Sequence, residues 1–256
     1  MLHELPELRD RTGVFRNRDH AGHTLAGLLA PFRDSAARVL AIPAGGVPVA
    51  AAIAGRLGFL LDVAVVSKIT LPWDSECGYG AVAFDGTVRL NFDMIDRSRL
   101  ANGEVVRGIE KTRHKVRRRT SALRGSAAPP ELSKHPVILV DDGLASGFTM
   151  RAAVEAVRKA GARRIAVVVP TGHRRSVVDL AHEVDELFCA NVRGGRSYAV
   201  ADAYQQWRDV SESEAARLLA LFHTHASRRQ GADHRLPARP AIRPNPAPSR
   251  KNESGH

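Results

Sequence analysis

A chain of 256 residues with 44% hydrophobic side chains can bury one α/β-sized core. No apolar run reaches the ~18 residues that cross a bilayer, the opening MLHELPELRDRTG lacks the apolar stretch of a secretory signal, and Cys77 and Cys189 stand outside metal-ligand spacing, so the chain reads as cytoplasmic with two free thiols. The net charge of +11 is concentrated in two stretches: residues 104–124 hold eight Lys/Arg against two acids, residues 226–256 hold seven against two, and the remainder is neutral.

In chain order, a helix is predicted over residues 19–31 with Leu25, Leu28 and Leu29 on one side, then a strand Val39 to Ile42 and an Ala-rich helix Val47 to Leu57. Val63 to Val66 reads as a buried strand ending at Ser67-Lys68, and Ile69 to Val82 as a long connector containing Pro72, Gly78 and Gly80. Tyr79 to Phe84 and Thr87 to Asn91 flank Asp85-Gly86, a hairpin turn signal. Residues 94–123 are mostly helical and strongly basic, with Glu110 within pairing distance of Arg113 or His114; the face reads as solvated or as a dock for an acidic partner. Strands follow at 137–140, 163–169 and 185–190, with a helix between the first two closed by Gly161, and Ser211 with Glu214 forms a capping box for a last helix to about His223. No internal repeat is present. Alternating strands and helices predict a mostly parallel sheet flanked by helices over residues 1–225. Residues 226–256 hold five of the fourteen prolines, no aromatic and only two large aliphatics, which predicts a disordered basic tail, solvated or touching nucleic acid.

The most informative stretch is Val137 to Thr149, VILVDDGLASGFT. Four apolar residues suit a strand buried on both faces. Asp141 and Asp142 follow, then a loop of small residues (Gly143, Ala145, Ser146, Gly147), then Phe148 and Thr149 opening a helix. Small residues let backbone N–H groups approach an anion, the helix dipole favours negative charge there, and the Ser and Thr hydroxyls add donors. Two acids beside a phosphate cradle make sense if they meet sugar hydroxyls or a magnesium ion. A sugar phosphate satisfies both halves.

Ile42-Pro43-Ala44-Gly45-Gly46-Val47-Pro48 also leads from a strand through a glycine pair into a helix, exposing amides to an anion. Lys68, at the carboxyl end of a strand, offers a point charge to the crevice where α/β sheets bind ligands.

At Val137 to Thr149 the chain resembles the type I phosphoribosyltransferases, whose defining segment is an apolar strand, two acids and a small-residue loop ending in Thr. The resemblance, which extends diffusely over residues 13–222, implies an α/β fold with a mobile loop and a small hood near residues 191–207. It implies that Asp141 and Asp142 hold the ribose hydroxyls of phosphoribosyl pyrophosphate (PRPP), that Gly143 and Ala145 to Thr149 hold its 5′-phosphate, and that Ala44, Gly45, Gly46 and Lys68 hold pyrophosphate. Many relatives carry Arg where this chain has Ala44, so the pyrophosphate contact falls to backbone or to a cation from elsewhere. The connector 69–82 corresponds to the mobile loop, with Glu76 and Asp74 facing the incoming nucleophile. The hood residues Arg193, Arg196 and Tyr198 are candidates to hold the acceptor, although Tyr198, Tyr204 and Trp207 equally suit packing of the hood on the core.

The implied reaction is transfer of the phosphoribosyl group to a nitrogen acceptor, a nucleobase, with release of pyrophosphate. Mg²⁺ would enter bound to PRPP, with no dedicated protein ligands, and a homodimer is expected. Members that act on 6-oxopurines have Asp at the place of Ala145, so that acceptor class is disfavoured. The rival expectation is a PRPP-binding regulator on the same fold.

Overall fold

The computed structural model describes residues 1–125, 127–195 and 197–233; for Glu76 and residues 225–233 only the backbone is described. In chain order the strands are β1 (Leu2–His3), β2 (Arg38–Ala41), β3 (Leu60–Val63), β4 (Val66–Leu71), β5 (Asp74–Ala83), β6 (Val88–Leu90), β7 (Val137–Val140), β8 (Ile165–His173) and β9 (Glu186–Arg193). The helices are α1 (Arg18–Leu28), α2 (Gly46–Leu57), α3 (Phe92–Arg97), α4 (Asn102–Arg124), α5 (Phe148–Lys159), α6 (Arg174–Ala181) and α7 (Glu212–Asp233). Six parallel strands form the main sheet in the order β1-β9-β8-β7-β2-β3, and β4-β5-β6 form a separate antiparallel sheet.

The central strands are apolar throughout because both faces are covered. Val39, Ala41, Ile138, Val140, Ala166 and Val168 enter one core cluster, while Leu40, Ile42, Val137, Leu139, Val167 and Val169 enter the other. This is the two-residue alternation of a strand, with an apolar residue on each face. Helix α5 covers one face with Met150, Ala153, Val154 and Val157 buried.

The topology explains where a ligand belongs. From β2 the chain winds through α2 to β3 on one side; from β7 it winds through α5 to β8 on the other. The direction reverses between the neighbours β2 and β7, and a crevice opens at the carboxyl ends of strands at such a point. Ala41 is in register with Val140, and the amide of Ile42 donates to the carbonyl of Val140 at 2.8 Å. Two loops about a hundred residues apart in sequence therefore leave the sheet side by side.

Five sequence expectations are corrected. Val63 to Val66 is not one strand: β3 ends at Val63, Ala64-Val65 turn the chain out of the parallel sheet, and β4 starts at Val66. Lys68 therefore sits inside an antiparallel strand, opposite Ala81, and not at the carboxyl end of a parallel one. The connector 69–82 is the hairpin of β4 and β5, with Leu71 paired to Asp74 across Pro72-Trp73; its glycines conceal the strand, and Gly80 is required there because a Cβ would lie 2.7 Å from the carbonyl oxygen of Arg89 on β6. Half of the expected capping box forms: Ser211 accepts from the amide of Glu214 at 3.1 Å, but the Glu214 carboxylate pairs with Arg208 at 2.5 Å. The last helix continues to Asp233, ten residues past His223, and residues 234–256 of the expected tail lie outside the described residues. Helix α6 and strand β1 have no counterpart among the predicted elements; β1 adds to β9 as the sheet edge.

The hairpin at Asp85-Gly86 is present, with Gly86 at φ +89° and Thr87 donating to the Asp85 carboxylate. Both cysteines are free, Cys189 buried in the core with its thiol pushed up by burial. Among the described residues no helix is long and apolar enough to cross a membrane.

Candidate functional site

Two loops and a hood build the site. Asp141 and Asp142 leave β7, and the Gly45-Gly46 turn leaves β2 beside them. A Cβ on Gly45 would lie 2.0 Å from Oδ2 of Asp142, and one on Gly46 2.6 Å from the carbonyl oxygen of Val140. Both positions are glycine because the turn lies directly against the acids. The peptide bond between Pro43 and Ala44 is cis. Gly45→Ala is expected to push Asp142 aside and lower the melting temperature by a few degrees, since overpacking costs ~1–3 kcal/mol; a thermal melt checks it, and an unchanged melt would place the turn away from the acid.

The small-residue loop runs from Gly143 into α5. Gly147 takes φ +77°, which turns the chain into the helix, and Ala145 and Ser146 stand exposed at its mouth. Among the described residues the hydroxyls of Ser146 and Thr149 have no hydrogen-bond partner. Amides at a helix N-terminus and two available hydroxyls are the kind of donors an anion takes.

The acids are not equivalent. Asp141 accepts from the amide of Asp142 at 2.9 Å. Asp142 Oδ2 accepts from Arg18 Nε at 2.9 Å and Nη2 at 2.7 Å. Burial pushes the pair above the usual carboxylate range, and for Asp141 the neighbouring Asp142 adds to this; Arg18 opposes it, more strongly at Asp142. The two acids therefore differ: Asp142 is locked to an arginine, and beside it burial and the neighbouring carboxylate make Asp141 hold its proton more strongly.

Nothing in the sequence singles out Arg18, which there opens an ordinary helix. It is buried, its guanidinium lies 3.9 Å from the Trp207 ring and 5.8 Å from that of Tyr204, and Nη1 donates to the carbonyl of Arg208 at 2.7 Å. Tyr204 donates from its hydroxyl to the carbonyl oxygen of Asp142 at 2.7 Å. Tyr204 and Trp207 thus pack the hood onto the site, and they do so through Arg18.

Arg119 is likewise absent from the sequence candidates, although it carries a signal. Thr112, Val116, Arg119 and Leu123 are the buried residues of α4, a helical stripe in which a charge replaces an apolar side chain. Its guanidinium donates to the carbonyl of Pro43 at 3.1 Å, to the carbonyl of Val66 at 3.0 Å and to Ser67 Oγ at 3.0 Å, and Nε faces Glu212 Oε1 at 2.5 Å. The expectation for the basic helix is a solvated face or a dock for an acidic partner. One of its arginines instead fastens the Pro43 turn to β4 from below, and Arg113 makes the expected pair with Glu110 at 2.6 Å.

The remaining candidates are placed less centrally. Lys68 is exposed and lines the cavity between β4–β5 and α4, while its neighbour Ser67 touches Arg119. Arg193 is buried and committed to the hood, donating to the carbonyl of Ala199 at 3.1 Å and pairing with Asp202 at 3.2 Å. Its guanidinium also lies 5.2 Å from the Tyr198 ring. Tyr198 is half-buried, with its hydroxyl 3.5 Å from Thr171 Oγ1, and burial pushes its phenol up. Arg196 and the side chain of Glu76 lie outside the described residues.

A parallel sheet with an acid pair, a small-residue loop at a helix N-terminus and a glycine turn meeting at its switch point defines an α/β protein of the doubly wound class. The chain matches the phosphoribosyl transferase domain over residues 19–202, and it belongs to that family. It is 32% identical over 210 residues to the Mycobacterium tuberculosis (strain ATCC 25618 / H37Rv) protein named "Putative phosphoribosyl transferase Rv0571c", covering 82% of this chain. The chain spans only 47% of that relative's length. It is also similar to the crystal structure of TT1426 from Thermus thermophilus, with 33% identity and a TM-score of 0.67, covering 81% of this chain and 98% of the other.

Proposed function

We propose that the chain transfers the phosphoribosyl group of PRPP to a nitrogen acceptor, a nucleobase, with release of pyrophosphate. The observation that carries this reading is the contact of Gly45 with Asp142, which puts an amide-rich turn, a carboxylate pair and a phosphate cradle into one crevice. The 5′-phosphate lies on the amides of Ala145 to Thr149, and the ribose hydroxyls donate to Asp141 and to the Asp142 oxygen that Arg18 leaves open. The turn at Ala44, Gly45 and Gly46 then faces the pyrophosphate.

In the reaction a ring-nitrogen lone pair forms the bond to C1 while the C1–O bond breaks and its electron pair leaves on pyrophosphate, and the proton that the acceptor base loses passes to water or to the departing pyrophosphate. Charge builds on the leaving group, and turn amides and Lys68 offset it. Asp141 and Asp142 hold the ribose while C1 moves. Hard oxygen donors suit Mg²⁺, and this pair stands alone: among the described residues no group of three or more His, Cys, Asp or Glu could hold a metal. The ion would enter as part of the PRPP complex, where it would neutralise pyrophosphate charge.

The test is incubation with PRPP, Mg²⁺ and a panel of bases while pyrophosphate release is followed. Release that depends on one base identifies the acceptor. Binding of PRPP without release for any base would instead make the protein a PRPP-binding regulator. In an active protein, Lys68→Ala should lower kcat by ~10²-fold with a smaller change in KM, because the charge it meets develops as pyrophosphate departs. Near-normal turnover would remove Lys68 from the reaction.

A further inference from the structure

We propose that the groove between the β4–β5 hairpin and helix α4 is a second binding site, for a nucleoside polyphosphate. It has a volume of about 950 Å³, and Trp73, Arg107, Lys111, Lys115 and Arg118 line it. That volume falls within the ~300–1,000 Å³ of small-molecule sites, which argues for a bounded ligand over a polymer track.

Charge defines what it takes. Arg107, Lys111, Lys115 and Arg118 follow one another at intervals of four, four and three residues, so they form one ridge along the helix, ~16 Å long at 1.5 Å per residue. All four are exposed, and among the described residues none of them makes an ion pair. Other arginines of the same helix are neutralised: Arg113 by Glu110, Arg119 by Glu212 and Arg124 by Asp62. Glu104 and Asp74 also line the groove, and against the four cations of the ridge they leave a positive excess. A single phosphate would satisfy only part of such a ridge, whereas a chain of phosphates would span it.

Trp73 supplies the second half of the recognition. It stands at the hairpin turn, 63% exposed, beside the cations. A large aromatic held in water next to a row of positive charges is a stacking platform for a base. The sequence conceals the arrangement, because Trp73 and the basic ridge are over thirty residues apart and meet only through the packing of α4 on β4.

The test is a titration of the full chain with ATP and UTP, followed by tryptophan fluorescence; Trp73 and Trp207 are the only two tryptophans. Saturable quenching is expected that weakens steeply with added salt. Lys111→Glu with Lys115→Glu should weaken binding at least tenfold, and Trp73→Leu should abolish the quench and weaken binding in calorimetry. Should the double charge reversal fail to fold, Trp73→Leu alone decides. Asp141→Asn with Asp142→Asn should leave nucleotide binding intact, and its loss there would assign the nucleotide to the PRPP crevice and overturn the proposal. It is equally overturned if nucleotides do not bind, if inorganic triphosphate binds as tightly as ATP, or if a short single-stranded oligonucleotide binds far more tightly than either.

Discussion

Adding PRPP with Mg²⁺ is expected to raise the melting temperature of the chain, and Asp141→Asn with Asp142→Asn is expected to abolish that rise. A ligand at a hundred times its Kd stabilises by ~2.7 kcal/mol, which for a domain of this size is a shift of roughly 5–10 °C. The double variant keeps the shape of both side chains while removing the charge that sugar hydroxyls donate to. The apo protein should respond in the opposite sense to the change at Asp141. Burial and the charge of Asp142 raise its native pKa, so the native state favours the protonated form. The stability linked to that proton is present at low pH and is lost as pH rises through the raised value. Asp141→Asn alone should therefore melt higher than the parent at neutral and alkaline pH, with the gap closing in acid. A PRPP shift that survives in the double variant would dismiss the ribose assignment. A lower neutral-pH melting temperature for Asp141→Asn would show that its charge is already compensated.

Arg119→Met should cost ~3 kcal/mol or more, a fall of roughly 6–12 °C in melting temperature, because removing one partner of a buried polar cluster strands the rest. The residue is 8% exposed, and its side chain bridges the carbonyls of Pro43 and Val66, Ser67 Oγ and Glu212. Methionine retains the stem and leaves those acceptors without a donor. Arg119→Lys should rescue little, since one ammonium cannot reproduce a planar fork reaching three acceptors. Where the lysine variant folds well enough to assay, KM for PRPP should rise more than kcat falls, as the Pro43 turn loosens. Full stability in both variants would mean that the turn is held by its own backbone.

The parts of the site legible in sequence are those made by one continuous segment. Val137 to Thr149 declares a strand, two acids and a small-residue loop because strand burial, charge and turn chemistry are local properties. Ile42 to Pro48 declares its turn for the same reason. The hairpin of β4 and β5 reads as a loop in sequence because Pro72, Gly78 and Gly80 are poor strand formers in isolation, and only the close approach of β6 makes Gly80 necessary.

Local residue chemistry was thus enough for the class of fold, the acid pair and the small-residue loop that opens α5. The tertiary structure alone decided which residues support them. The pairing of β2 with β7 brings Gly45 against Asp142 across about a hundred residues. Arg18 reaches the same acid from the first helix and is packed against the hood aromatics, and Arg119 reaches the Pro43 turn from a helix rich in exposed charge. Charged side chains at surface-like positions look alike in sequence, because what distinguishes them is burial and the carbonyl or carboxylate they meet, and both are fixed only when distant segments fold together.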